Sequence, residues 1–178
     1  MSTQESLQKA EEILKDLALS FNRPEENRLD AIVSADNLKT AVRKLLIEER
    51  WGYLSAITGM DNPDYVVDEV TKEKKVEEGK GSLELLYHFC EGAAVTTLRV
   101  SLPYEDPQVD SICDLIPAAT FYEREAMELL GIFFTNTPDT EHLVLPDSWP
   151  AGVYPLRKTF RGLETMHKDK KEVGDGAG

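Results

Sequence analysis

The sequence predicts an α+β fold: a mostly antiparallel sheet covered by helices, with an extended C-terminal arm. Three observations predict it. The apolar pattern alternates between helical and strand spacing in the order α-β-α-β-β-β. The two strongest strands, 83–90 and 94–100, are separated by little more than Glu91-Gly92, as in a hairpin. Beyond Gly131 the chain is punctuated by Pro146, Pro150 and Pro155, which keep the residues before them out of helix. A chain of 178 residues fits one domain with a sizeable core.

The first element spans Ser6 to Leu19, where Leu7, Ala10, Ile13, Leu14, Leu17 and Ala18 recur at helical spacing opposite Lys9, Glu12, Lys15 and Asp16. Asn22, Pro24 and the acidic run after it end this helix. Arg28 to Ser34 then reads as a short strand centred on Ala31, Ile32 and Val33. Ser34 or Asp36 caps a second helix, about Asp36 to Arg50, whose buried side is Leu38, Ala41, Val42, Leu45 and Leu46. A strand at 53–58 ends at Gly59, before the turn-rich Asp61-Asn62-Pro63-Asp64. Val70 to Gly81 is too charged to bury, so a hairpin tip or mobile loop is expected there. After the two strong strands, Val109, Ile112, Cys113 and Ile116 predict one face of a short helix ended by Pro117.

The stretch from Phe121 to Phe160 is the densest in signals. Thr120-Phe121-Tyr122-Glu123 fits a capping box, Tyr122, Ala126, Leu129 and Leu130 share a helical face, and Gly131 is placed for a left-handed stop. Glu123, Arg124, Glu125 and Glu128 then surround the rest of the helix. Two readings of them stand: a solvated face with weak i,i+4 pairs, or a network in which Arg124 orders the following loop or meets a partner. Ile132-Phe133-Phe134 and Leu143-Val144-Leu145 are apolar enough to anchor on the sheet. Pro155-Leu156-Arg157-Lys158 should leave the body as a docking strand, with Arg157 free to bond carboxylates or carbonyls of another subunit.

Composition limits the function classes. The net charge of −13, from 20 Lys and Arg against 33 Asp and Glu, repels phosphate backbones and argues against nucleic acid as a partner. Cys90 and Cys113 have neither disulfide-framework nor zinc spacing, which points to a reducing compartment. The N-terminus has no basic segment followed by an apolar one, so no signal peptide is expected, and no window is apolar enough to span a bilayer. His88 and Cys90 share a strand face and could offer two metal ligands, but satisfied strand residues explain them as well. There is no G-x-G-x-x-G, Walker A or G-x-S-x-G sequence, and no carboxylate pair stands out for acid–base work.

The segments Y-E-R-E-A-M-E-L-L-G-I-F-F, P-D-T-E-H-L-V-L-P-D-S-W and P-L-R-K resemble the signature of the 30-kDa subunit family of respiratory complex I. The resemblance extends to its relatives in F420H2 dehydrogenases and membrane-bound energy-converting hydrogenases. It implies a peripheral-arm subunit, not catalytic alone, that binds no cofactor itself. Iron–sulfur clusters, and flavin or nickel–iron according to branch, are implied for partner subunits. Those partners are the large hydrogenase-like (49-kDa-type) subunit on which it packs, iron–sulfur subunits and membrane subunits, on the cytoplasmic side of the cell membrane. The implied reaction of the complex is electron transfer from NADH, F420H2 or ferredoxin to a quinone-type acceptor, coupled to ion translocation. The equivalent subunit of a [NiFe]-hydrogenase is the alternative, and a free-standing adaptor or small α+β enzyme is a second.

Carried over by position, the signature residues are Glu123, Arg124, Glu125, Gly131, Pro146, Asp147, Trp149, Pro155, Leu156, Arg157 and Lys158, with structural and inter-subunit roles implied. Glu128 stands where the family has aspartate, His142 where arginine is frequent, and Thr159 where aspartate often follows the basic pair. The expected layout is an α+β body at 1–134 that includes the signature helix 120–131, a docking arm at 135–160 and a charged tail at 161–178.

Overall fold

The computed structural model describes residues 1–67, 69 and 71–163. Helix α1, Thr3–Leu14, opens with a capping box in which Ser2 and Glu5 satisfy each other's amides. It buries Leu7, Ala10, Ile13 and Leu14. The helix is shorter than its periodicity suggests. The chain turns at Leu17, whose amide bonds Leu14 O at 2.9 Å, and Ala18–Asn22 becomes β1, an edge strand. Ala18 suits either a helix face or a strand, and tertiary pairing with β2, Arg28–Val33, decides it.

Ser34 does cap α2, Ala35–Val42, by accepting from Asn37 N at 3.3 Å. The helix then widens into a π-helical continuation, Arg43–Glu48. Trp51 closes this end, its indole donating to Ser6 O at 2.9 Å and its ring fully buried. Gly52 follows at φ +64, and a Cβ there would lie 2.2 Å from Cys90 O, so glycine is required.

Strand β3 is Tyr53–Val67, not a short strand ending at Gly59. The Asp61-Asn62-Pro63-Asp64 segment lies inside it, beside a register irregularity between Pro63 and Tyr65. Proline is tolerated because β3 is an edge strand of the sheet. Its partner β4 spans Lys74–Glu91, so the charged region read as a tip or loop is largely paired ribbon. Strand β5 is Ala94–Pro103, after a turn at Gly92. The sheet runs β1-β2-β5-β4-β3, antiparallel at every step except β2–β5, which is parallel.

Alternation along β4 and β5 sends Leu83, Leu85, Tyr87, Phe89, Leu98, Val100 and Leu102 into the core. The helices bury their apolar sides in the same cluster. The opposite face carries the half-exposed Glu84, Leu86, His88 and Cys90. Val109 belongs to a strand, β6 (Gln108–Asp110), and not to a helix. It pairs in parallel with β7, Phe133–Thr135, while Ile112 to Ile116 makes a single turn. Between these strands lies α3, Ala119–Leu130. From Asn136 to Gly162 the chain proceeds by turns and bends. Most of the charged tail, 164–178, lies outside the described residues.

Candidate functional site

Helix α3 and the segment that follows it are tied together by charged side chains that bond main-chain groups. The expected capping box is absent. The helix begins at Ala119 with Ala118 as N-cap, which places Thr120 within the first turn. Glu123, released from capping, points inward and is fully buried. Its carboxylate accepts from Ser111 Oγ at 2.7 Å, Ile112 N at 2.9 Å and Cys113 Sγ at 3.2 Å. One side chain thereby fixes the turn that connects β6 to α3. Burial pushes the Cys113 thiol up, as it does the Tyr87 hydroxyl, whose titration Glu123 raises further.

Arg124 and Glu128, one turn apart, grip the loop 139–145 from the other side of the helix. Arg124 donates Nε to Glu141 O at 2.8 Å and Nη2 to His142 O at 2.9 Å, and pairs with Asp139 at 2.9 Å. Glu128 accepts three consecutive amides, Leu143 N at 3.1 Å, Val144 N at 2.7 Å and Leu145 N at 3.1 Å. Burial pushes the Glu128 carboxyl up, yet the Leu145, Val144 and Leu143 amides and His142 together hold it below the usual range. Of the two readings of this helix surface, the loop-ordering network is the one observed. Glu125 alone of the four remains exposed.

Because its amides turn inward, the apolar run does not anchor on the sheet: Leu143 is 40% and Val144 61% exposed. His142 Nδ1 lies 3.1 Å from Glu128 Oε2. Glu128 and His142, two of the three positions noted above as departing from the resembled signature, therefore contact each other.

The Pro155-Leu156-Arg157-Lys158 segment folds back on its own chain. Leu156 N bonds Leu129 O at 3.0 Å and Arg157 Nε bonds Leu130 O at 2.5 Å, so the segment satisfies carbonyls left open at the end of α3. Arg157 does find a carbonyl, but within the molecule. Its guanidinium lies over the rings of Tyr104 and Tyr154, at 4.9 and 5.6 Å. Lys158 N donates to Asp61 Oδ2 at 2.5 Å, and Asp61 also accepts from the Tyr104 hydroxyl. Burial, then Asp61, pushes Tyr104 up.

Gly131 takes the left-handed stop at φ +72, and a Cβ there would meet the Tyr154 ring at 2.4 Å. Pro146 O accepts Trp149 N at 2.8 Å, and the Trp149 indole donates to Val153 O at 2.8 Å, with its ring 6.3 Å from Phe160. Asp147 and the Lys158 side chain are exposed, Pro155 is half-buried, and Leu156 is 54% exposed. Sequence reasoning misses Asp61, Tyr104 and Ser111, whose partners lie 97, 43 and 12 residues away.

His88 lies between Thr97 Oγ1 at 3.1 Å and Thr58 Oγ1 at 3.3 Å, and burial lowers its titration. Nearby on that face, Arg99 makes bidentate bonds to Glu84 at 2.7 and 2.9 Å and a third to Asp30 at 3.0 Å. Among the described residues, no three His, Cys, Asp or Glu are grouped to hold a metal ion. A cleft of about 510 Å³ between α2, β5 and β6 contains Lys39, which is paired with Asp110 at 3.1 Å and Asp114 at 3.0 Å.

Residues 31–166 match the family described as respiratory-chain NADH dehydrogenase, 30 Kd subunit. One subunit of the F420H2 dehydrogenase of Methanosarcina mazei is 32% identical over 76% of this chain and 77% of its own length. The beta subunit of the membrane-bound hydrogenase of Pyrococcus furiosus is 39% identical over 40% of this chain and 42% of that protein. The fold is shared with a chain of the membrane-bound sulfane sulfur reductase, an archaeal respiratory membrane complex. That likeness has a TM-score of 0.62 at 23% identity and covers 99% of this chain and 96% of the other.

Proposed function

We propose, from the premise that this chain belongs to the respiratory-chain NADH dehydrogenase 30-kDa subunit family, that it is an accessory subunit of a membrane-bound oxidoreductase. Complexes of this kind are complex I-like or hydrogenase-related. The complex couples electron transfer, from NADH, F420H2 or ferredoxin to a quinone-type acceptor, to ion translocation. The chain packs on the large hydrogenase-like subunit at the cytoplasmic side of the cell membrane. Iron–sulfur clusters and flavin belong to its neighbours. No described helix is long and apolar enough to cross a membrane, so a peripheral position fits.

The observation that carries this reading is how the signature residues are employed. Glu123, Arg124, Arg157 and the Lys158 amide all bond the chain's own loops and helix end. Charges placed this way build a rigid shape, which is what a docking subunit needs. The body at 1–134, the arm at 135–160 and the tail at 161–178 are the units we assign to that role.

Purification of the tagged chain from detergent-solubilised membranes tests the reading. The large subunit and iron–sulfur subunits should co-purify, and emergence of the chain alone from the soluble fraction overturns it. The likeness to a membrane-bound hydrogenase subunit favours the [NiFe]-hydrogenase branch as a second reading. Stoichiometric nickel in the purified complex would select that branch, and quinone-type reductase activity without nickel the first.

A further inference from the structure

Glu123 has bonding capacity that its partners leave open. Its Oε2 accepts from both the Ser111 hydroxyl at 2.7 Å and the Cys113 thiol at 3.2 Å, whereas Oε1 accepts from Ile112 N at 2.9 Å and from no other described residue. A carboxylate oxygen takes about two donors, so one position on Oε1 is left for another. Tyr87 has the complementary need. It is fully buried on the core face of β4, and among the described residues its hydroxyl has no hydrogen-bond partner. An unpaired buried hydroxyl is costly, and native interiors pair such groups with protein or with water. Burial, then Glu123 and Cys113, pushes the Tyr87 titration well up, so the phenol keeps its proton and stands as a donor.

Helix and sheet bring the two groups to one place. Tyr122 of α3 donates its hydroxyl to Ser55 O at 3.1 Å, and Leu130 packs so closely on Gly59 that a Cβ there would lie 2.3 Å from Leu130 Cδ1. Helix α3 therefore follows β3 from Ser55 to Gly59. Ile57, midway between them, pairs with Tyr87 of β4. Glu123, the buried neighbour of Tyr122, is on the inner side of α3 at that level, close enough for its charge to act on the phenol yet not bonded to it. A donor and an acceptor held apart in an enclosed, polar place suit one water molecule. We propose that a single internal water is bound between the Tyr87 hydroxyl and Glu123 Oε1, accepting from the phenol and donating to the carboxylate. This water joins β4 to the carboxylate that already fixes the turn 111–113, so sheet, helix and connecting turn meet at one point. It is a constituent of the fold whichever complex the chain joins.

A crystal structure of the full-length chain, at a resolution that shows ordered solvent, tests the site directly. A water should lie within hydrogen-bond distance of both Tyr87 Oη and Glu123 Oε1. Tyr87→Phe, which removes one oxygen and keeps the ring, should lose that water and lower the melting temperature by about 2–4 °C. In solution, oxygen-17 relaxation of water should report fewer long-lived internal waters in the variant than in the wild type. Empty density at this place, or density that brings the phenol directly onto Glu123, overturns the site. An unchanged population of long-lived waters does so too. So does a variant that melts at or above the wild type, because deleting a hydroxyl that binds nothing relieves a burial cost instead of removing a bond.

Discussion

Two charged networks of similar size lie in different parts of this molecule and act differently. On the open face of the sheet, Arg99 joins Glu84 and Asp30 through side chains alone, across strands that backbone ladders already hold. On α3, Arg124 and Glu128 bond the main chain of a loop that has no ladder of its own. The first network adds to an arrangement that exists without it. The second creates the arrangement. Losing a side chain from each should therefore have unequal consequences.

The largest effect is expected at Glu128. Replacement by alanine leaves three amides without their acceptor, and each bond to a charged group contributes about 1.5–3 kcal/mol, so a loss of about 3 kcal/mol or more is expected in denaturant melts. Limited proteolysis should then cut within 139–145. Gly131→Ala comes next, at about 2 kcal/mol, because its Cβ meets the Tyr154 ring and the left-handed backbone disfavours any side chain. It should loosen the arm without opening the loop.

Arg99→Ala should cost less, about 1–2 kcal/mol, because Asp30 and Glu84 lose a charged partner while the strands that carry them stay paired. Proteolysis should not report it. If Arg99→Ala proves as damaging as Glu128→Ala, the distinction between the two networks fails.

The smallest and most specific test is acid titration. Glu128 is held below its ordinary value of 4.5, so its contribution is fully present above that value and lost as pH falls through the depressed native value. Glu128→Gln should flatten the acid limb of a stability–pH curve relative to wild type. Equal slopes would mean that the amides do not stabilise the ionised form.

Much of this structure is legible in the chain. The α+β class, the Ser34 cap, the β4–β5 hairpin and the Gly131 stop all rest on neighbours close in sequence, where propensity and turn chemistry act directly. The capping box at Thr120 fails because the chain has already entered the helix by Ala119, which frees Glu123 for the turn at 111–113. Hydrophobicity alone places Leu143 and Val144 in the core, since nothing local shows that Glu128 will draw their amides inward. Sequence sets the arm away from the body because its anchors, Asp61 and Tyr104, lie far back in the chain. Spacing of i,i+4 between Arg124 and Glu128 is the one local sign of the network.

The single parallel joint in the sheet also sets a schedule for synthesis. Asp30 of β2 pairs with Thr97 of β5, a separation of 97 − 30 = 67 residues. Strands β3, β4 and β5 can pair as a meander as they leave the ribosome, through connections a few residues long. The N-terminal hairpin, made first, must wait with the apolar side of α1 uncovered until β5 has emerged. This earlier-made hairpin therefore finds its place in the sheet only after the meander that follows it.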